Sequence, residues 1–232
     1  MKPRYMKKTF LVFSAHPDDL DFGCAGTVAK LTGQGNRVIY CIVANGEKGT
    51  RKVNKSKSEM VKLRRNEQRK AAGIVGVKEV IFLNEIDGEV ENTKSLRKKL
   101  VRVVRRVRPE VVFSFDPASA AFNSFPRYHR DHRMTAEAVF DSLYPAAGSK
   151  AFFPNLKEKP QSIKEAWFYA SLCPNLWVDI TDTVQKKIKA LLCHESQVVR
   201  QKKLKEMIFK RARENGKKKK VKYAESFRRL EL

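Results

Sequence analysis

The chain has 232 residues, of which 42% are hydrophobic, and a formal net charge of +24 at pH 7. This length suffices for one large globular domain, and no apolar run approaches the roughly 20 residues of a membrane-spanning helix. The short apolar run at residues 10–13 is followed at once by His-Pro-Asp-Asp, which argues against a signal peptide. Four scattered cysteines without a Cys-x-x-Cys pair argue against a sulfur-bound zinc and indicate reduced, buried cysteines of a cytoplasmic protein.

Strands and helices are predicted to alternate along the first half of the chain. The predicted strands are 9–15, 37–44, 79–83 and 110–115, and the predicted helices are 24–34, 58–75 and 93–107. The strand runs lack polar alternation, which is typical of strands covered on both faces. We therefore predict an α/β fold with a parallel sheet built from βαβ units.

The second half of the chain is less regular. The predicted elements are a loop at 116–127, a helix at 131–143, irregular chain at 144–164, strands at 166–171 and 176–180, and a helix capped by Thr181 or Asp182. From residue 200 the sequence is basic and helix-prone, with an interruption expected at Gly216. We interpret residues 1–232 as a single domain, with 200–232 as a basic helical C-terminal segment packed on it.

Two short segments hold three of the four histidines, Ala15-His16-Pro17-Asp18-Asp19 and His129-Arg130-Asp131-His132. The first follows the first predicted strand, and the second follows the fourth across a loop. In an open parallel sheet these two strands are usually neighbours at the point where strand order reverses, and sites form beyond their carboxyl ends. The topology therefore predicts that the two segments meet.

The residues in these segments suit a divalent metal. His16, Asp19 and His132 would supply two imidazoles and one carboxylate, a ligand set that a catalytic zinc ion accepts while keeping a position for water. Such a site is the minimum required for metal-assisted hydrolysis.

The remaining polar side chains suit acid–base roles beside that metal. Asp18 cannot easily point the same way as Asp19, and we expect it to act as general base. His129 lies three residues before His132, so both can face one site, and we expect His129 to stabilise an oxyanion and protonate a leaving amine. Asp131 is expected to hold an imidazole in the right tautomer.

These motifs, in this order, resemble the PIG-L/LmbE family of zinc-dependent N-acetylglucosaminyl deacetylases. The resemblance continues in five further segments, Gly23-Cys24-Ala25-Gly26-Thr27, Asn45-Gly46-Glu47-Lys48-Gly49, Asp87-Gly88, Val178-Asp179-Ile180-Thr181 and Ala224-Glu225-Ser226-Phe227. One departure is Leu20, because many members have glutamate directly after the Asp-Asp pair, whereas here the acid follows as Asp21. Other members share that later acid, so we interpret it as a subgroup feature.

The resemblance implies a Rossmann-like three-layer sandwich with a mostly parallel sheet. It also implies Zn²⁺ on the three ligands named above, and hydrolysis of the acetyl group of an N-acetylglucosamine-type substrate by a metal-activated water.

Three substrate contacts follow from the resemblance alone. Arg64 is expected to face the substrate, although an ion pair with Glu67 on one helix face would also explain it. Asp87 is expected to touch sugar hydroxyls, or else to be a plain turn residue. His194 is expected to line the pocket, with an ordinary histidine at a helix end as the alternative.

The expected partner is a small N-acetylated sugar or glycoconjugate, and relatives commonly assemble, so a homo-oligomer is expected. Two other functions remain open. The positive charge, which is denser after Arg200, favours a protein that binds nucleic acid or an anionic surface. The aromatic residues of a nucleic-acid reader are not evident, however, and a lysine-rich proteome or heat adaptation also explains the charge. The second alternative is a family member without catalysis.

Overall fold

A seven-stranded sheet organises the computed structural model, which describes residues 7–49, 55–119, 122 and 128–231. The strands are β1 Thr9–Ser14, β2 Arg37–Ala44, β3 Glu79–Glu85, β4 Val111–Phe115, β5 Glu165–Tyr169, β6 Leu176–Asp179 and β7 Ala224–Glu231. The helices are α1 Asp19–Gly33, α2 Lys57–Ile74, α3 Lys94–Val107, α4 Arg130–Asp141, α5 Val184–Leu192 and α6 Gln201–Lys219, with a π-helical segment at Ser142–Ala147.

The strand order is β3-β2-β1-β4-β5-β7-β6. β1 pairs in parallel with both β2 and β4, and β7 pairs antiparallel with β5 and β6. The strand order therefore reverses between β1 and β4 at the centre of the sheet. The predicted α/β fold with a mostly parallel sheet is confirmed.

Helices cover both faces of the sheet. Alternate residues of β1 point to opposite sides, so that Phe10 and Val12 join one buried cluster while Leu11 and Phe13 join another. Side chains of α1 and α2 complete the first cluster, and side chains of α3 and α4 complete the second. This two-sided burial gives the predicted three layers and explains why the strand sequences lack polar alternation.

Helix α1 begins earlier than predicted, at Asp19 instead of Cys24. Gly23, which directly precedes the predicted helix, lies inside α1, where a Cβ atom would come within 2.7 Å of the Tyr169 ring. The glycine therefore serves close packing of α1 on the sheet. Asp18 is the N-cap residue, and Asp19 and Asp21 lie in the first turn, where carboxylates are favoured by the helix dipole.

The prediction of a wholly helical C-terminal segment is wrong for its last part. Residues 224–231 form β7, which lies between β5 and β6 and buries Ala224 and Phe227. Helix α6 also continues through Gly216, because this buried glycine packs against the carbonyl groups of Val221 and Lys222 and does not end the helix. The predicted loop 116–127 lies mostly outside the described residues.

The cysteine prediction is only partly correct. All four cysteines are free, and Cys24 and Cys41 are buried, but Cys173 is exposed and Cys193 is half-buried. Within the described ranges, no helix has the combination of length and apolar character that crossing a membrane requires.

A buried ion pair joins the C-terminal strand to the first helix. The Lys187 ammonium and the Glu225 carboxylate are each 5% exposed, and Glu225 also accepts hydrogen bonds from the backbone N–H groups of Gly26 and Thr27. Lys187 donates a second hydrogen bond to the carbonyl of Phe22. The pair therefore anchors α5, α1 and β7 together.

Replacing Lys187 by methionine is expected to lower the free energy of unfolding by about 3–5 kcal/mol, since the Glu225 carboxyl group would stay buried without its partner. Urea unfolding at pH 7 measures this loss. The matched control is Glu79→Gln, which breaks the exposed pairs with Arg37 and Arg106 and should cost no more than about 1 kcal/mol. Equal costs for the two variants would contradict the assigned role of the buried pair.

Candidate metal centre and active site

The turn after β1 places three polar side chains at the carboxyl edge of the sheet. His16 is buried at 8% exposure, and Asp19 opens α1. Between them Asp18 has a φ of 99°, a left-handed conformation that costs a residue other than glycine about 1–3 kcal/mol. This backbone turns the carboxylates of Asp18 and Asp19 in different directions.

The three predicted metal ligands converge. His16 Nδ1 lies 3.5 Å from Asp19 Oδ2, and His132 Nε2 lies 3.1 Å from Asp19 Oδ1. Donor atoms on a tetrahedral zinc ion, with bonds of about 2.0–2.1 Å, lie about 3.3 Å from one another. The donor types and these two distances suit a zinc ion, and the ligand set His16, Asp19 and His132 stays a prediction. Among the described residues, the groups whose possible ligand atoms all lie within 4.8 Å of one another are His16, His129 and His132, and His16, Asp87 and Asp131.

Two carboxylates hold the other nitrogen of His16. His16 Nε2 lies 2.8 Å from Asp131 Oδ2 and 3.1 Å from Asp87 Oδ1. Asp131 is itself fixed by the backbone N–H groups of Gly88 and Val90. A proton on Nε2 satisfies both carboxylates and leaves Nδ1 with the lone pair that a metal requires.

The local field favours a cation at this position. Burial alone would lower the pKa of His16, but hydrogen bonds with Asp131, Asp19 and Asp87 outweigh it and raise this pKa well above 6.5. Burial would likewise raise the pKa of Asp19, yet its contacts with His132 and His16 hold it well below its usual range. A bound divalent cation would experience the same negative potential.

Asp18 differs from its neighbour. Burial raises its pKa to about 6, while the Arg64 guanidinium 3.5 Å away acts in the opposite direction. A carboxylate with this pKa is a stronger base than an ordinary aspartate.

An open pocket of about 370 Å³ lies above these residues. Its lining, among the residues that the structure describes, comprises His16, Asp18, Lys48, Gly49, Arg64, Asp87, Gly88, His129, His132 and Gln197. His129 precedes α4 as its N-cap residue, so it does not lie within the helix, but its ring is 5.1 Å from that of His16 and 5.3 Å from that of His132. The segments after β1 and β4 therefore meet as the topology predicted.

The three predicted substrate contacts lie in different environments. Arg64 borders the pocket, but its guanidinium donates to the carbonyls of Pro17 and Gly46 and is 3% exposed. Asp87 borders the pocket and contacts His16. His194 is fully buried, lies outside the pocket lining and pairs with Asp21, unlike the pocket residue that the resemblance implies.

Besides Gly49 and Gly88, two residues of the pocket lining received no role from the sequence. Lys48 lies in the loop after β2 and pairs with Glu89, and Gln197 follows α5. Lys48 belongs to the segment Asn45-Gly46-Glu47-Lys48-Gly49 that carries the family resemblance, and that segment was the available signal.

Replacing Gly46 by alanine is expected to disturb this site. Gly46 has a φ of 73°, and a Cβ atom there would collide with the Arg64 guanidinium. Backbone strain should cost about 1–3 kcal/mol of stability, and displacement of Arg64 should lower the turnover rate at least about tenfold. Thermal unfolding and steady-state kinetics measure both. The control is Gly73→Ala on α2, where nothing lies within 4 Å and stability should rise by up to about 1 kcal/mol.

The sequence and the fold match known proteins. The family model described as PIG-L, GlcNAc-PI de-N-acetylase, matches residues 11–143. Diacetylchitobiose deacetylase of Thermococcus kodakarensis is 34% identical over 190 residues, covering 82% of this chain and 70% of the relative. A probable N-acetyl-alpha-D-glucosaminyl L-malate deacetylase 2 of Bacillus anthracis is 27% identical over 201 residues, covering 81% of this chain and 80% of the relative.

Among solved structures, N,N'-diacetylchitobiose deacetylase from Pyrococcus horikoshii superposes with a TM-score of 0.89 and 31% identity, covering 97% of this chain and 84% of that one. The resemblance found in the sequence is confirmed by the family match and by these relatives. The chain belongs to the PIG-L family.

Proposed function

We propose that this protein is a zinc-dependent hydrolase that removes the acetyl group from an N-acetylated amino sugar of the N-acetylglucosamine type. The observation that carries the proposal is the convergence of His16, Asp19 and His132 beside a buried carboxylate in an open pocket. The relatives described above, which are named as deacetylases of N-acetylated sugars, support the substrate class. The expected homo-oligomer and the cytoplasmic location stay predictions.

The zinc ion would be held by His16 Nδ1, Asp19 and His132 Nε2. When bound, a zinc ion polarises a carbonyl oxygen and lowers the pKa of a nearby water molecule to about 7. The chain's contribution is to orient this ligand set, through the contacts of Asp131 and Asp87 with His16.

Asp18 would accept the proton of the attacking water. Its carboxylate lines the pocket, and the Arg64 guanidinium on its other side limits the rise of its pKa to about 6. As the carbon–nitrogen bond breaks, the same carboxyl group would return a proton to the departing amine, giving acetate and the free amino sugar.

His129 would donate a hydrogen bond to the developing oxyanion. Burial, together with the His16 and His132 rings, lowers the pKa of His129, which favours its neutral form. Its Nδ1 accepts a hydrogen bond from the Asp131 backbone N–H, so the proton of the neutral ring is on Nε2. A neutral donor suits oxyanion binding, so we keep this role for His129. The expectation that His129 also protonates the leaving amine is replaced in this proposal by protonation from Asp18, because a neutral imidazole is a poor proton donor.

An acetate-release screen tests the proposal. The purified protein is incubated with N-acetylglucosamine, diacetylchitobiose and an N-acetylglucosaminyl malate, first with zinc and then with a chelator. We expect acetate release from at least one of these sugars in the presence of zinc, and no release after chelation. Release that persists without any metal, or no release from any sugar by metal-loaded protein, would contradict the proposal.

A further inference from the structure

We infer that Gln68 is a positioning residue for the general base, held in place by a buried pair of Asp21 and His194. This inference rests on the proposed function, because it concerns how Asp18 is presented to the pocket. Gln68, Asp21 and His194 are all fully buried. Gln68 lies on α2, Asp21 lies on α1 and His194 lies in the segment after α5. Three separate parts of the chain therefore meet next to the backbone N–H group of Asp18.

The contacts form a chain that ends at the main chain of Asp18. The Asp18 backbone N–H donates to Gln68 Oε1 at 2.8 Å. Gln68 Nε2 donates to Asp21 Oδ2 at 2.9 Å. His194 Nε2 lies 2.8 Å from the same oxygen of Asp21.

The carboxylate of Asp21 determines which way the Gln68 amide faces. Gln68 Nε2 donates to Oδ2 of the Asp21 carboxylate, so the NH₂ group of Gln68 faces Asp21. The amide oxygen of Gln68 is then directed to the only other partner that the described residues provide, the N–H of Asp18. His194 completes the chain as a donor to Asp21.

The backbone of Asp18 needs such an anchor. Its φ of 99° is unfavourable for a residue with a side chain, and such conformations persist only where the surroundings fix them. The Arg64 guanidinium holds the carbonyl of Pro17, on the amino side of this residue, and Gln68 holds the N–H of Asp18 itself. Together they set the direction in which the Asp18 carboxylate leaves the chain.

The network therefore orients Asp18 without contacting the proposed metal ligands. Gln68 contacts neither His16 nor Asp19 nor His132 in the hydrogen bonds described, whereas its contact with Asp18 is direct. Loss of Gln68 should lower kcat through a misplaced base, while zinc affinity and KM stay close to those of the parent protein.

Three variants test this role. Gln68→Met removes both hydrogen bonds with little change in volume. Gln68→Glu keeps an acceptor for Asp18 but places a carboxylate against Asp21. The double variant Gln68→Glu/Asp21→Asn restores a donor–acceptor pair at each contact. The NH₂ group of the new amide on α1 can take the place of Asp21 Oδ2, donating one hydrogen to the new carboxylate on α2 and the other to His194 Nε2 when the imidazole proton is on Nδ1.

We expect both single variants to lose about 10–100-fold in kcat, with KM changed less than twofold and zinc content unchanged. The double variant should recover most of the loss of Gln68→Glu. Val75→Ala is the control, because Val75 is a buried core residue at the end of α2 outside the pocket lining, and its loss should lower the melting temperature without changing kcat.

Hydrogen exchange of the Asp18 amide in metal-free protein gives a readout independent of activity. Its protection should fall in Gln68→Met and return in the double variant. Wild-type kcat and amide protection in a folded Gln68→Met protein, or no recovery in the double variant, would overturn the inference. Failure of the parent protein to release acetate would instead count against the proposed function, while the exchange data would still test the network.

Discussion

Asp18→Asn is expected to lower kcat for acetate release by about 10²–10⁴-fold while leaving one zinc ion bound per chain. Asparagine has the shape of aspartate but cannot accept the proton of the attacking water. Asp18 contacts the Arg64 guanidinium and is not one of the three converging ligands, so the metal site should survive the change. Steady-state kinetics with zinc in excess, together with metal analysis of the purified variant, measure both quantities.

The matched control for this prediction is Asp182→Asn. Asp182 is exposed and lies in the turn before α5, outside the pocket lining, so its replacement should leave kcat and zinc content unchanged. Undiminished turnover in Asp18→Asn with zinc still bound would show that another group accepts the proton. Loss of zinc from that variant would show that Asp18 belongs to the ligand set.

The convergence of the two histidine segments could be predicted because it depends on topology alone. β1 and β4 are central parallel neighbours, so the chain leaves both strands at one edge of the sheet. His16 follows the first and His132 follows the second, and their rings lie 5.4 Å apart. No knowledge of side-chain conformation was needed for that expectation.

The finer contacts could not be predicted, because they depend on side-chain conformation and on helix packing. Asp87 has the sequence context of a turn residue, yet in the folded chain it contacts His16 across 71 positions of sequence. Asp21 and His194 are 173 residues apart and meet only because α5 packs on α1. From the sequence alone, His194 is a histidine at a helix end. Nothing in that pattern distinguishes a buried partner of Asp21 from a residue that lines the pocket.

The last strand shows a second limit. Within β7 the charged residues Arg228 and Arg229 interrupt the apolar pattern that would indicate a strand. The basic, helix-prone segment before β7 favours extending the helix prediction into this strand. In the structure Arg228 pairs with Asp116 and Arg229 with Glu165, so both charges are satisfied next to the sheet. Those partners lie more than 60 residues away in the chain, and the local pattern does not contain them.

The second large effect is expected at the metal ligands themselves. His132→Ala removes one of two imidazoles, and the remaining pair of ligands should lose zinc on dialysis, with no measurable acetate release even when zinc is supplied. Its ring also stacks on Phe115 at 4.3 Å between centroids, so a small loss of thermal stability should accompany the change. Metal analysis after dialysis, a zinc titration and kinetics in excess zinc measure the outcome.

Variants of Asp131 and Asp87, which contact the proposed ligand His16, should respond to excess zinc differently from His132→Ala. This difference tests the proposed ligand set more sharply than the loss of activity alone. Asp131→Asn and Asp87→Asn keep every proposed ligand but weaken the hydrogen bonds that direct His16 Nδ1 towards the metal, so zinc affinity should fall about 10–100-fold. Excess zinc should restore much of the activity of these two variants and none of that of His132→Ala. Asp131 accepts two backbone N–H groups besides the His16 contact, and its replacement should therefore be the more costly of the two. If His132→Ala bound zinc as tightly as the parent protein, the ligand set would be wrong, and with it the assignment of the pocket as a metal-dependent active site.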